Sequence, residues 1–517
     1  MDNLNNLHPT TRYGIAAAWV RIQDREFDIT KRSDLWDLAK LALQDLLSEI
    51  LLAPYPGKDS DTIYYKPLSG DKVNPGSKTG QNAPNGYFTQ PHVLTSNNVA
   101  DIVKEVKAII ELLHKEDEGK KYELKRSFAP MIAKINAGKK SMSNPKVDLL
   151  DAAFTCIGTL TPLKPAAFVK DMNDKFANAG IIPELPFFDE KTGEYPLREF
   201  VELFSEMISR GLGDKAYAAK STKGKKYNRP NIFRGNYPEA PAFSNLNIVS
   251  LIAAIGKWSN EYKLLIGESR KVIELLESRP IYIVSYIGTR QEQFGHHLVD
   301  LAMSGQLYNA LDKKSRVSLI GVDDSKKFSS PNWQLFIRNF DNFLRFFDKI
   351  NLQNFLAHRA TYPIEFFHIL KSYFMQKGKF SEEIISAAVS YGQSINRAAY
   401  IAASQEIADD KKKGRSGRSI NEYKHRVLLQ LESIINSSEN GIELTSRLNS
   451  QIGRLTMQDI HSGAAPFLRE VSNNKITIED AKHLITAFMR VSNYDPNKNG
   501  AKDSTPDEEK LTNEISS

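Results

Sequence analysis

The sequence predicts an α+β fold. A large mixed N-terminal domain with long basic loops spans 1–375, an all-α helical bundle spans 376–492, and a disordered acidic tail spans 493–517. Three observations lead there. The best strand pattern, "PIYIVSYIGT", is β-branched and aromatic, is entered by Pro280, and stands in a part of the chain repeatedly broken by glycine, proline and asparagine. From Phe380 onward prolines nearly vanish and apolar residues recur every three or four positions. The last stretch, "NYDPNKNGAKDSTPDEEKLTNEISS", is polar and acidic and has too few apolar residues to bury.

The elements follow in order. "SDLWDLAKLALQDLLSEILLA" spaces Leu35, Leu38, Leu41, Ala42, Leu46 and Ile50 as a helix, with Ser33 as the expected N-cap. Lys66 to Pro91 reads as one long aperiodic loop, a type that is usually functional or disordered. A helix is expected over Asn98–Lys115, and one or two more over "NIVSLIAAIGKWSNEYKLLIGESRKVIELLE". "RVSLIGVDDS" reads as a second strand and "NWQLFIRNFDNFLRFFDKI" as a helix with an aromatic face. Five amphipathic sets follow in the bundle. They run from Ile384 to Ala402, Ile420 to Ile434, Ile442 to Leu455, Met457 to Leu468 and Ile478 to Met489, the last opened by a capping-box-like "TIED" at Thr477.

Composition narrows the function classes. The chain has 517 residues, 41% hydrophobic and 25% charged, enough for a large core and a further domain. A net charge of +7 favours nucleic acid over an acidic partner. The single cysteine, Cys156, excludes a disulfide framework and a cysteine zinc site; its apolar surroundings predict a buried structural thiol and fit a cytoplasmic location. The apolar run Tyr13–Val20 is too short for a convincing targeting signal, and no run of eighteen apolar residues predicts a membrane span.

Catalytic patterns are near misses. "AKINAGKKS" has Ala133 where a phosphate-binding P-loop needs its first glycine, and Lys140 where it needs a hydroxyl. His297 and Asp300 have metal-ligand spacing beside His296, but no third ligand stands nearby, so a helix-start pair with one partly buried histidine is expected. Asp323 and Asp324 follow a strand-like run, as metal-holding acids on a hairpin tip do, but Val322 replaces the second glycine of that pattern and a plain turn is favoured.

What recurs is basic residues interleaved with glycine, asparagine and aromatics. Between Gly119 and Lys146 there are eight Lys/Arg and one Glu. "KAYAAKSTKGKKYNRPNIFRG", Lys215 to Gly235, holds seven cations and no acid, and its glycines and Pro230 predict a flexible or extended loop. "DDKKKGRSGRS" stands between the first two bundle helices. Cations neutralise phosphates, asparagines reach base edges, and rings stack unpaired bases.

In the bundle, "AAVSYGQSINRAAYIAASQE", "KHRVLLQLESIINSS", "LNSQIGRLTMQDIHSGAAPFL" and "KHLITAFMRVSN" resemble the helical end of the large subunit of type I CRISPR surveillance complexes (Cascade), nearest the I-B-like group. The run Gly392–Ile395–Ala399 and the closing "LITAFMRVS" carry most of the resemblance, which covers the last quarter of the chain well. It implies a non-enzymatic chain without cofactors. Its partners would be CRISPR RNA, target double-stranded DNA, backbone and small subunits, and a helicase-nuclease or, in transposon-encoded versions, transposition proteins. It implies that the N-terminal domain reads the protospacer-adjacent motif and that the bundle holds the displaced strand. It also makes Met375 a candidate internal start for a free small subunit.

On that basis Lys220, Lys223, Lys225, Lys226, Arg229 and Arg234 are expected on the duplex, with Asn228 and Asn231 as base readers. Lys72, Asn74, Lys78, Asn82 and Asn85 are second-choice readers. Arg397, Lys411, Lys412, Lys413, Arg415 and Arg418 are expected on the displaced strand. The rival readings are a metal-dependent nuclease or nucleotidyl-transfer enzyme using Asp323 and Asp324, with His297, and an adaptor whose basic loops are merely solvated.

Overall fold

The apolar run near the N-terminus folds as a core helix. In the computed structural model a single turn, Asp2–Asn5 (α1), precedes Pro9–Arg21 (α2), which is buried at Thr10 to Ala18 and at Val20. The structure describes residues 2–56, 62–68, 88–89, 99–115, 119–125, 144–170, 176–212, 218–222, 226–227, 235–236, 248–263, 266–285, 288–320, 322, 326–413, 419–457 and 460–491. Two compact units form: Met1–Ser315 with Phe340–Phe347, and Arg316–Asn339 with Asp348–Ser517.

In the first unit, α2 is followed by Arg32–Glu49 (α3), Val99–His114 (α4), Leu149–Leu160 (α5) and Pro196–Met207 (α6). Ile248–Glu261 (α7), Ile266–Leu276 (α8), His297–Met303 (α9) and Gln306–Lys313 (α10) follow. The N-cap of α3 is Lys31 and not Ser33. Ser33 lies inside the first turn, where Asp34 accepts from the Asp28 amide and from the Ser33 hydroxyl, fixing the entry without a hydroxyl cap. Small residues let α2 and α5 cross at backbone contact. A methyl at Gly14 would sit 1.8 Å from the Phe154 carbonyl oxygen, and one at Gly158 would sit 2.3 Å from that of Thr10.

Two antiparallel sheets organise this unit. One contains Leu51–Pro56 (β1), Thr62–Leu68 (β2), Phe88–Thr89 (β3), Ala218–Thr222 (β8) and Lys226–Tyr227 (β9), in the order β3-β1-β2-β8-β9. The short pair Lys121–Glu123 (β4) and Lys146–Asp148 (β5) stands apart. The other sheet contains Ala166–Lys170 (β6), Phe176–Pro183 (β7), Ile281–Ser285 (β10) and Gly288–Glu292 (β11), in the order β11-β10-β7-β6. The expected strand at "PIYIVSYIGT" is therefore a hairpin, with Ser285 opposite Gly288.

In the second unit the aromatic-faced helix is Pro331–Phe346 (α11), whose residues divide between the two units. Its Trp333, Phe336, Phe340 and Phe343 are buried, as the spacing predicts. The expected strand at "RVSLIGVDDS" shrinks to Ser318–Leu319 (β12), paired with Ala360–Thr361 (β13). Lys349–Leu356 (α12) and Phe366–Gln376 (α13) lead into the bundle. The bundle is Glu382–Lys412 (α14), Ile420–Ser437 (α15), Gly441–Thr456 (α16), Ala465–Ser472 (α17) and Ile478–Met489 (α18).

All four later helices pack on α14. Thr477 caps α18 as expected, accepting from the Asp480 amide at 3.1 Å. The helix expected over Met457–Leu468 is shorter than its pattern. Met457 ends α16 in the left-handed conformation, 89% exposed, and α17 starts only after a 3₁₀ turn at Ser462–Ala464. α13 belongs with the bundle, because Phe367 and Phe374 contact the Phe488 ring at 5.9 and 5.6 Å. Met375 lies on α13, 40% exposed, so a product starting there would lack both rings.

Candidate nucleic-acid interface

The segment Lys215–Gly235 is not all loop. Ala218–Thr222 pairs with β2, setting Lys220 opposite Thr62 and Ala218 opposite Tyr64, and Lys226 lies opposite Thr222. Local composition did not show this pairing, because the partner strand lies about 150 residues away in sequence. The same sheet shortens the other expected loop, since Lys66–Leu68 closes β2 and Phe88–Thr89 pairs with β1.

Register gives three strand lysines positions on one face of the sheet. Successive strand positions alternate between faces, and directly opposed residues share one. Lys66, Lys220 and Lys226 therefore hold positions on the face of Tyr64, opposite the buried Leu52 and Tyr65. The chain leaves β2 for 69–87 and β8 for 223–225 at opposite ends of the sheet, about 20 Å apart along β2. The residues Lys72, Asn74, Lys78, Asn82, Asn85, Lys223, Lys225, Asn228, Arg229, Asn231 and Arg234 lie outside the described residues, as does most of the basic stretch between Gly119 and Lys146.

The far end of the basic segment is tied to the second sheet. Gly235 bridges Ala167, and its φ of +150° with a would-be methyl 3.1 Å from the Ala166 oxygen requires glycine. Asn236 is buried, 1% exposed. Its Oδ1 accepts from the Ala166 amide at 2.6 Å, and its Nδ2 donates to the carbonyls of Pro162 and Lys164 at 2.9 and 2.8 Å. Its own amide donates to the Ala166 carbonyl at 2.9 Å. Lys164 is itself buried and donates to the carbonyls of Gly158 and Thr159 at the C-terminus of α5. Burial holds its amine well below the ordinary lysine range. The basic segment is thus paired with the first sheet through β8–β9 and with β6 through Gly235, and Arg229 and Arg234 lie between the two attachments in the chain. Sequence reading missed Asn236, whose only signal was a polar residue directly after a glycine.

In the second unit, Asp409–Lys412 is the last turn of α14 and not part of a connection. Lys411, Lys412 and Lys413 are exposed, as is Arg397, and none of the four forms an ion pair with a described residue. Arg415 and Arg418 lie outside the described residues.

A family model for CRISPR-associated protein Csp2 matches residues 8–492. The chain belongs to this family. Neither a curated protein nor a solved structure matches it. Membership in the Csp2 family agrees with the resemblance seen in the bundle at the level of a CRISPR-associated protein. The stretches that carried the resemblance touch in the fold. A methyl at Gly392 would lie 2.8 Å from the backbone of Phe488 and Met489, and Asn396 donates to the Met489 carbonyl at 2.7 Å.

The metal and catalytic candidates resolve differently in this Csp2-family chain. The His297 Nε2 lies 2.8 Å from the Leu344 carbonyl, and its ring stacks on Phe347 at 4.5 Å. Asp300 turns away to accept from Arg270 at 2.9 Å, and His296 pairs with Glu277. The helix-start reading of this pair therefore holds, with His297 half-buried. Among the described residues no group of three or more His, Cys, Asp and Glu side chains could hold a metal. Asp323 and Asp324, and the stretch from Ala133 to Lys140, lie outside them. Cys156 is buried, and burial pushes its thiol well above the usual range. No described helix is long and apolar enough to cross a membrane.

Proposed function

We propose that this Csp2-family chain is the non-catalytic large subunit of an RNA-guided DNA-binding complex. In this reading the segment Lys215–Gly235 recognises the protospacer-adjacent motif on the duplex, and the exposed cations of α14 steady the displaced strand of the R-loop. The observation that carries it is the mounting of the basic segment: from β8 to Gly235 the chain holds six cations and no acid, and both ends of that stretch pair with strands of the first unit. Such mounting would lower the ordering cost of binding. Sequence discrimination over the guide length would rest with CRISPR RNA, leaving the protein a short motif and the duplex geometry. The partners are CRISPR RNA, target DNA, and backbone and small subunits, with a helicase-nuclease or transposition proteins downstream.

Reversing Lys225 and Lys226 to glutamate tests this. Binding of motif-bearing duplex should weaken, and the log–log salt slope should fall by about 1.8, at roughly 0.9 per lost phosphate contact. Unchanged binding would overturn the assignment.

A further inference from the structure

The long helix α14 buries one side and leaves the other open. Ala388, Ile395, Ala399 and Ala402 lie on the buried side. At about 100° per residue, Arg397, Tyr400, Ser404, Ala408 and Lys411 fall within about 60° of one line on the opposite side. Arg397 and Lys411 lie about 21 Å apart along it. The acids of this stretch, Glu406, Asp409 and Asp410, fall about 120° or more from Arg397. Two of them are engaged elsewhere: Glu406 with Arg426 and Asp410 with the Tyr423 hydroxyl.

Tyr400 is 38% exposed, and its ring packs on no aromatic or cationic side chain among the described residues. Between the two cations the surface is low. The Ser404 hydroxyl folds back to donate to the Tyr400 carbonyl at 3.0 Å, and Ala408 adds only a methyl. A paired base hides its face in the stack, whereas an unpaired base can lie on an exposed ring. Cations flanking a ring on an acid-free line complement a phosphate chain with its bases turned inward.

We propose that this face of α14 is a track for single-stranded nucleic acid, in which Tyr400 stacks on an unpaired base while Arg397 and Lys411 hold flanking phosphates. It deepens the proposed function and rests on that reading's assignment of the α14 cations to an unpaired strand. It adds a ring contact and a strand preference.

The test uses the full chain with fluorescent dT and rU twenty-mers, and with strands carrying 5-bromouracil for photo-cross-linking. Tyr400→Ala should weaken single-strand binding about 5- to 150-fold, the range of one base–aromatic stack. Tyr400→Phe should stay within about twofold of the parent, since the ring is kept. Cross-linked peptides should include Tyr400, and tighter binding of dT or of rU identifies the strand. Replacing Arg397 and Lys411 by alanine should lower the salt slope by about 1.4 while the cross-link persists. Unchanged binding by Tyr400→Ala, equal loss in both tyrosine variants, or equal competition by a duplex of the same length overturns the proposal. The Lys225→Glu, Lys226→Glu chain should keep the Tyr400 cross-link whatever becomes of its duplex binding, so the motif assignment and the track fail separately.

Discussion

Asn236→Ala separates holding the basic segment from touching DNA. The change removes no charge, yet it strips the Ala166 amide of its side-chain acceptor and the Pro162 and Lys164 carbonyls of their donor. Each buried group left unpaired costs about 1–3 kcal/mol, so the three together put up to about 3–9 kcal/mol of local stability at stake. A loss of about 2 kcal/mol multiplies the released population of this junction about thirtyfold. Affinity for motif-bearing duplex falls with the fraction of chains that keep the segment mounted, by up to about thirtyfold where the released form becomes the major one. The salt slope should not change, because every phosphate-contacting cation remains. Hydrogen exchange over 162–167 should rise, while exchange in α14 to α18 stays as it was. The reasoning is refuted if exchange rises and DNA affinity holds, or if the salt slope falls as it does for the Lys225 and Lys226 reversals.

Other expectations concern the framework. Arg490→Met should cost about 3–5 kcal/mol, measured by denaturant unfolding followed in α18. It leaves Glu432 buried and removes donors 2.6 and 2.8 Å from the carbonyls of Leu356 and His358. Adding Glu432→Leu should recover part of the loss. Gly158→Ala should cost about 1–3 kcal/mol or more by thermal unfolding, since the added methyl would strike the Thr10 carbonyl and push α2 from α5. Lys164→Met should flatten the rise of stability with pH. The folded chain has already given up a proton that the unfolded lysine keeps until about pH 10.4, so parent stability climbs as pH approaches that value from below.

Local patterns were the most legible. The bundle helices follow from apolar spacing, and the cap at Thr477 follows from a hydroxyl three residues before an acid. Where sequence reading erred, a nonlocal partner or a backbone choice decided. The Thr62–Lys220 register turned two supposed loops into parts of one sheet. The helix expected from Met457 starts only at Ala465, after left-handed Met457 and a 3₁₀ turn, and Asp34 took over the entry that Ser33 was expected to cap. The small-residue crossing at Gly14 and Gly158 had no periodic signature, since its content is how closely two backbones approach. For the candidate site, charge was visible in the sequence, but the two mountings were not, because each lies in a contact between distant segments.

The distance in chain between those mountings has a further consequence. From Thr222 to Gly235 the backbone is closed into a loop by the fold itself, so the entropy of bringing its ends together is met once, during folding. What lies between can then vary as a cassette. If the segment reads a short motif as proposed, exchanging residues within 228–234 should change the preferred motif, while the β8 pairing and the Gly235 bridge stay as they are.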